Sequence, residues 1–184
     1  MNLSQVDICN KALLKASLSP ITSFEENNKS ARCCKSLYEL TKQSLLASFP
    51  FNFATKNIAL QAVDKTVLDY SNAFVLPTDY LHLQKTDADD YEVCGNEIHT
   101  NNGSLSIKYT ANIDNPNLFS ASFIDVFVLH LAAEFSQAFG AGGEKYTTFM
   151  NEANNKLQLA MRSNVAQNTP PTEPSDNPFA DARR

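Results

Sequence analysis

Several features that are common in other proteins are scarce or missing from this sequence. It has no tryptophan, only five glycines in 184 residues, and no run of about 18 apolar residues of the kind that spans a bilayer. Residues 1–5 also lack the basic and apolar regions of a signal peptide. We therefore expect a protein that is made in the cytosol and has no membrane anchor.

Motifs of the common catalytic and nucleotide-binding sites are missing as well. The sequence contains no G-x-S-x-G, H-E-x-x-H, Walker A or G-x-G-x-x-G pattern. His130 and Glu134 are spaced to share one helix face, which allows a metal-ligand pair or an acid–base pair. A His–Glu pair satisfied by core partners is the favoured alternative, so we expect no enzyme, no metal and no cofactor.

Charged residues are few, and acidic residues prevail among them. Fifteen Lys and Arg against 20 Asp and Glu give a net charge of -5, and charged residues make up 19% of the chain. Clamping of DNA requires clustered Lys and Arg that neutralise phosphates, so we expect no specific DNA binding. The low share of charge favours a surface that is covered by protein partners.

The four cysteines form no C-x-x-C pair, and we expect reduced thiols that pack as small apolar side chains. A zinc site built from Cys33, Cys34 and Cys94 with His82 or His99 is an alternative, although it has no standard spacing. The acidic stretch 87–90 could likewise bind a metal. A solvated turn is the favoured interpretation there, because the stretch lacks the spacing of an EF-hand loop.

Apolar residues at intervals of three and four predict four helices, at 3–18, 28–48, 120–139 and 144–165. The third is apolar on most sides, which predicts a central position in the fold. Ser4 with Asp7 resembles a capping box, and Ser120 or Ser122 can cap the third helix. The charged side chains of the second helix predict a solvated face or, alternatively, a subunit contact: Lys29, Arg32, Lys35, Glu39 and Lys42.

Three aromatic rings surround Pro50, which ends the second helix. Phe49, Phe51 and Phe53 are predicted to form a core joint, because full burial of each ring contributes roughly 1.5–3 kcal/mol. Beyond them, alternating residues predict short antiparallel strands over 55–110, separated by turn signals. Asn102-Gly103 is typical of a two-residue hairpin turn.

These patterns together predict an α+β fold. We expect an antiparallel-leaning four-helix bundle with a small antiparallel β-sheet inserted between helices two and three, followed by an extended C-terminal tail. The predicted units are an N-terminal helical hairpin (1–54), a β insertion (55–112), a C-terminal helical hairpin (113–166) and the tail (167–184).

The tail differs in composition from the rest of the chain. Four of the eight prolines lie in its 18 residues, and it has one large apolar side chain, Phe179. Such a segment is typical of chains that become extended against another protein. We expect a partner-binding role for the tail, carried by these residues: Pro170, Pro171, Pro174, Pro178, Phe179, Arg183 and Arg184.

Several stretches, in order along residues 1–140, are similar to those of a known family. The sequence Pro20-Ile21-Thr22-Ser23-Phe24 follows the first helix. The other stretches are Phe49-Pro50-Phe51-Asn52-Phe53-Ala54-Thr55-Lys56, Phe74-Val75-Leu76-Pro77-Thr78-Asp79-Tyr80-Leu81, Tyr109 with Asn115-Pro116-Asn117-Leu118-Phe119, and Phe123 with Leu131-Ala132-Ala133-Glu134. Together they resemble the head-to-tail adaptors of short-tailed bacteriophages (podoviruses), the tail tubular protein A type. Phe51 stands where that family has Trp, and no family motif anchors the tail.

The resemblance implies a structural virion protein without enzymatic activity. Such adaptors form a dodecameric ring between the portal protein and the tail nozzle, a tail tubular protein B-like protein, and DNA passes through the lumen without specific binding. The implied location is the neck of the virion, after assembly in the host bacterial cytoplasm. The resemblance also leads us to expect docking of the tail on the portal.

Two other functions remain open at this point. The same helical core would suit a soluble phage-encoded binding or chaperone-like assembly module. A small enzyme that uses His130 and Glu134 is the third possibility.

Overall fold

The computed structural model describes residues 2–65, 67–140 and 142–168. Its four α-helices are α1 (Gln5–Lys15), α2 (Lys29–Ser48), α3 (Ala121–Ala138) and α4 (Gly143–Asn168). Single 3₁₀ turns lie at Asn52–Ala54 and Pro116–Leu118. The four predicted helices are confirmed, with shorter ends for α1 and a longer α4.

The predicted helix starts are also confirmed. The Ser4 backbone N–H donates to Asp7 and the Asp7 N–H donates to Ser4 Oγ, which completes a capping box at α1. Ser120 Oγ accepts from the backbone N–H of Phe123 at α3. These side chains satisfy amide groups that the first turn of a helix leaves without a partner.

Within the described residues, seven strands form two antiparallel sheets. The strands are β1 (Thr55–Leu60), β2 (Ala62–Val63), β3 (Asn72–Val75), β4 (Tyr80–Thr86), β5 (Tyr91–Cys94), β6 (Glu97–Thr100) and β7 (Leu105–Ala111). A three-stranded sheet has the order β1-β7-β4, and a four-stranded sheet has the order β2-β3-β6-β5. The central strand β7 pairs with β1, from Thr110 opposite Thr55 to Leu105 opposite Leu60. The first and the last strand of the β region are thereby neighbours in the same sheet.

The predicted fold class is therefore wrong. The chain is not a four-helix bundle with one small sheet, because its strands form two sheets and α2 packs against β4 and β7. The α3 helix is central, as predicted, and it packs against α1, α2 and α4. Alternation indicated the individual strands, but it carried no information about which distant strands pair.

The predicted hairpin at Asn102-Gly103 does not form. The flanking strands β6 and β7 belong to different sheets, so the chain crosses between the sheets at this turn. The Gly95-Asn96 turn does form a two-residue hairpin, in which Cys94 pairs with Glu97. Gly95 has a φ of 63°, a left-handed conformation that glycine adopts without steric cost.

One apolar core connects the helices to both sheets. It includes Phe123 and Phe127 of α3, Ile107 of the three-stranded sheet, and Phe74 and Ile98 of the four-stranded sheet. The strands of the four-stranded sheet otherwise contact mainly one another. Extensive contact between helices and strands is thus concentrated on the three-stranded sheet.

Candidate interaction surfaces

The aromatic block after α2 lies where the helices meet the three-stranded sheet. Phe51 is 2% exposed, and its ring centroid lies 5.1 Å from that of Phe123. Phe49 and Phe53 are half-buried, with centroids 5.0 and 5.7 Å from that of Phe51. Edge-to-face and tilted pairs of this kind contribute beyond their buried area. The rings contact one another and Phe119 and Phe123, as a structural joint requires.

The α4 helix holds this joint from the other side. Asn164 Oδ1 accepts from the backbone N–H of Asn52 at 3.0 Å, and its Nδ2 donates to the Pro50 carbonyl at 3.1 Å. Residues that are 112 and 114 positions apart are thereby connected. This contact could not be predicted, because an asparagine on a polar helix face is ordinarily a solvated residue.

A polar cluster connects β1, the start of β4 and β7. Lys56 Nζ lies 2.6 Å from Asp79 Oδ2, and the Tyr109 hydroxyl donates to Asp79 Oδ1 at 3.0 Å. Partial burial opposes ionisation of Asp79, but the hydrogen bonds from Lys56 and Tyr109 outweigh it and lower the Asp79 pKa. Burial, followed by the contact with the Asp79 carboxylate, raises the pKa of Tyr109 to about 12. The site thus favours a charged aspartate beside a neutral tyrosine.

A second polar cluster surrounds Lys42 of α2, which we predicted to be on a solvated or subunit-facing surface. The Lys42 side chain is fully buried, and its Nζ lies 2.9 Å from both Glu39 and Asp114. Burial opposes ionisation of Glu39, but hydrogen bonds from Lys42, Asn112 and Gln43 lower its pKa. The periodicity missed this site because Lys42 is a charged residue at a position that faces the core.

His130 and Glu134 border a groove between α2, α3 and α4. The cavity has a volume of about 430 Å³ and is lined by apolar side chains such as Leu37 and Leu157. Among the described residues, His130 Nε2 is buried without a hydrogen-bond partner, so our expectation of a satisfied His–Glu pair is wrong for this atom. Burial lowers the pKa of His130, which favours its neutral form.

The other predicted metal-binding alternatives do not converge. Within residues 2–65, 67–140 and 142–168, no three His, Cys, Asp or Glu side chains are arranged to hold a metal ion. Cys9 and Cys34 are buried and Cys33 and Cys94 half-buried, all as free thiols. Asp87 Oδ1 accepts from the Ser106 backbone N–H, as in an ordinary polar turn.

The predicted tail (167–184) begins within α4, which ends at Asn168, and its predicted partner-binding residues, from Pro170 to Arg184, lie outside the described residues. Elsewhere, large apolar side chains are exposed on both parts of the molecule. Leu14, Leu40 and Leu159 protrude from the helices, and Leu68, Tyr91 and Val93 belong to the β region. Single exposed apolar residues are ordinary on protein surfaces, whereas groups of them mark contact areas.

Comparison with protein-family models gives no match, and no curated protein matches the chain either. Across the part of the chain that the structure describes, no helix combines the length and apolar character needed to cross a membrane.

Proposed function

We propose that this chain is a head-to-tail adaptor of a short-tailed bacteriophage. It forms a ring, dodecameric as in the family it resembles, between the portal and the tail nozzle, and DNA passes through the lumen. It acts as a structural component of the virion neck and catalyses no reaction.

The observation that carries the proposal is the convergence of the resembling stretches. Lys56, Asp79 and Tyr109 come from three of these stretches, separated by 23 and 30 residues, and they form one polar cluster. Phe51 and Phe123, from two stretches, are in ring contact. Apolar residues from any stretches would meet in a core, but a lysine–aspartate–tyrosine contact in which only the tyrosine is buried requires specific positions. The stretches therefore behave as parts of one structural unit.

A second observation supports an adaptor rather than a module with one partner. Exposed apolar side chains occur both on the helices and in the β region, for example Leu40, which is 67% exposed, and Leu68, which is 84% exposed. An adaptor needs contacts with the portal, with the nozzle and with its own neighbours in the ring. Exposed apolar residues on both parts of the molecule suit that requirement better than exposed apolar residues on one part alone.

The net charge suits a DNA passage. A chain with a net charge of -5 does not neutralise phosphates extensively, so DNA can move past it without being held.

The test is binding to the portal protein of the same phage. Full-length chain mixed with purified portal rings is expected to co-sediment with them, whereas the free chain is expected to sediment as a monomer. A variant that ends at Gln167 is expected to lose most of the binding, because we assign portal docking to the tail. Unchanged binding of the truncated variant would disprove the tail assignment, and a stable free dodecamer would disprove assembly on the portal.

The chaperone-like assembly module remains the second candidate. It differs in one measurable respect, since an assembly factor is absent from finished virions. Mass spectrometry of purified particles that finds this chain in stoichiometric amounts would exclude that candidate, and its absence from the particles would exclude the adaptor.

A further inference from the structure

Three neighbouring depressions that share lining residues follow the seam between α3 and α4 on the side that α1 flanks. The first part, at one end, has a volume of about 420 Å³ and is lined by Lys11, Leu14 and Lys15 of α1 together with Asp125, Val128 and Lys156. A second part of about 250 Å³ shares Asp125 and Lys156 and adds Leu159. We call this surface the lysine–leucine seam.

The seam extends towards the aromatic joint. A third part, of about 390 Å³, shares Ser122, Ala160 and Ser163 with the second and reaches Asn52 and Phe53. From Lys156 to Asn164 the α4 helix rises by about 12 Å, at about 1.5 Å per residue. A row of depressions of that length suits an elongated chain segment better than a compact small molecule.

The seam is locally basic although the chain is acidic. Three lysines line its first part, against one aspartate, and Lys156 Nζ lies 3.0 Å from Asp125 Oδ2. Among the described residues, Lys11 and Lys15 form no ion pair within 4.0 Å. Asp7, one turn before Lys11, is engaged by Ser4 in the capping box. Neither ammonium group is therefore paired within the described residues, although Asp7 still attracts Lys11 electrostatically.

The walls of the seam are also apolar. Leu14 on α1 is 61% exposed and Leu159 on α4 is 63% exposed, and the buried Val128 of α3 lines the first part together with Leu14. Leu14 is adjacent to Lys15 and three residues from Lys11, so the leucine and the two lysines are close together on the α1 surface. The seam therefore combines apolar contacts with positive charge on the same short wall.

We propose that the lysine–leucine seam binds an acidic amphipathic helical segment of a partner protein. Apolar side chains of that segment pack between Leu14 and Leu159, and its Asp or Glu side chains reach Lys11 and Lys15. This is the helix-in-groove mode of recognition, with charge complementarity that selects an acidic partner. The proposal rests on the seam alone and holds whether or not the adaptor function is correct.

Other polyanions fit the seam less well. A nucleic acid would present phosphates to two available lysines and leave both leucines exposed, and the net charge of the chain would repel it. A second copy of the chain is the other occupant to test, since acidic residues surround exposed Tyr91 and Val93 in the β region. The experiment below separates that outcome from the proposed one.

The probe is a synthetic helical peptide with leucines on one face and glutamates beside them, labelled for fluorescence anisotropy. Its two controls replace the leucines by serine or the glutamates by lysine. The full-length protein is expected to bind the probe at least about tenfold more tightly than either control, with weaker binding at high salt. No binding of the probe, or equal binding of the lysine control, would overturn the proposal.

Two charge-matched double variants locate the binding. Lys11→Glu/Lys15→Glu is expected to weaken probe binding at least about tenfold, about 1.4 kcal/mol. Lys85→Glu/Lys108→Glu, on the exposed surface of the three-stranded sheet, changes the net charge equally and is expected to bind as the unmodified chain does. Circular dichroism confirms folding of both. An equal loss of probe binding in the two variants would show that net charge controls the binding, and it would overturn the assignment of the site to the seam.

Leu14→Ser provides an independent variant that keeps every charge. It is expected to weaken probe binding severalfold and to leave the salt dependence intact. Sedimentation of the chain without peptide tests the remaining occupant. Self-association that Lys11→Glu/Lys15→Glu abolishes would assign the seam to a second copy and overturn the proposed partner.

Discussion

The aromatic joint and the four-stranded sheet use their apolar side chains in different ways. In the joint, Phe51 and Phe123 are almost fully buried and in ring contact with other phenylalanines. In the four-stranded sheet, Phe74 and Ile98 are buried, but Tyr91 and Val93 remain 41% and 42% exposed. Burial of the first kind stabilises the fold, whereas exposure of the second kind leaves surface for a partner.

A single substitution in the aromatic joint is therefore expected to lower the free energy of unfolding more than a single substitution in the four-stranded sheet. Phe123→Ala removes ring contacts to Phe51, Phe53, Phe119 and Phe127 and leaves a cavity. We expect the free energy of unfolding in urea to fall by about 3–5 kcal/mol. Tyr91→Ala in the four-stranded sheet is the matched control, with an expected loss below about 1 kcal/mol. Similar losses for the two variants would remove the contrast between the regions.

The Lys42 cluster is expected to have the next largest effect. Lys42→Ala leaves a cavity and removes the cation between Glu39 and Asp114, so we expect a loss of about 2 kcal/mol, measured by urea unfolding. Lys42→Met fills most of the volume of the lysine side chain, and the carboxylates of Glu39 and Asp114 can be hydrated instead. The free energy of unfolding should therefore fall by less than about 1 kcal/mol. Lys35→Met tests an exposed ion pair and should change stability by less than about 0.5 kcal/mol. Equal effects of all three would indicate that burial of Lys42 is unimportant.

The contribution of the Asp79 cluster to folding stability is expected to depend on pH. The Asp79 pKa is lowered in the folded state, so its contribution is present above the unfolded value near 4 and is lost as pH falls through the lower folded value. The Tyr109 pKa is raised to about 12, so its contribution is lost as pH rises from about 10 to about 12. Asp79→Asn should cost about 1 kcal/mol at pH 7 and flatten both limbs of the stability curve.

Asp89→Asn is the control for that experiment, because Asp89 is exposed in the 87–90 turn. Thermal unfolding between pH 2 and pH 12 measures both limbs. A pH profile of Asp79→Asn that superimposes on that of Asp89→Asn would refute the role assigned to Asp79.

The smallest effect on stability is expected in the four-stranded sheet. Val93→Thr keeps the β-branched shape of an exposed residue, so the free energy of unfolding should change by less than about 0.5 kcal/mol. We assign this exposed surface to nozzle contact under the adaptor proposal, so the same substitution should weaken nozzle binding in a pull-down with portal-bound rings. A clear fall in the free energy of unfolding of Val93→Thr, with unchanged nozzle binding, would contradict the assignment of this surface to partner binding.

The sequence predicted the local features of the fold better than its long-range pairing. Helix periodicity and the Ser4 and Ser120 caps depend on residues within four positions, and these predictions are confirmed. The pairing of β1 with β7 joins residues about 50 positions apart, which alternation does not encode. The single-sheet bundle was wrong for that reason, and the Asn102-Gly103 hairpin was wrong because β6 and β7 find partners in different sheets.

The candidate sites divide in the same way. Phe49, Phe51 and Phe53 could be predicted as a joint because large rings near a helix end must be covered. Lys42, Asp79 and Asn164 could not, since the contacts that give them a role come from residues 23 to 114 positions away. The tail residues from Pro170 onwards stay a prediction, because they lie outside the described residues.

Electron cryomicroscopy of portal rings mixed with the full-length chain tests the adaptor proposal most directly. We expect a twelve-subunit ring of added density on the portal, with helices and the two sheets recognisable in each subunit. Portal rings that remain bare at saturating concentrations of a correctly folded chain would contradict the proposal.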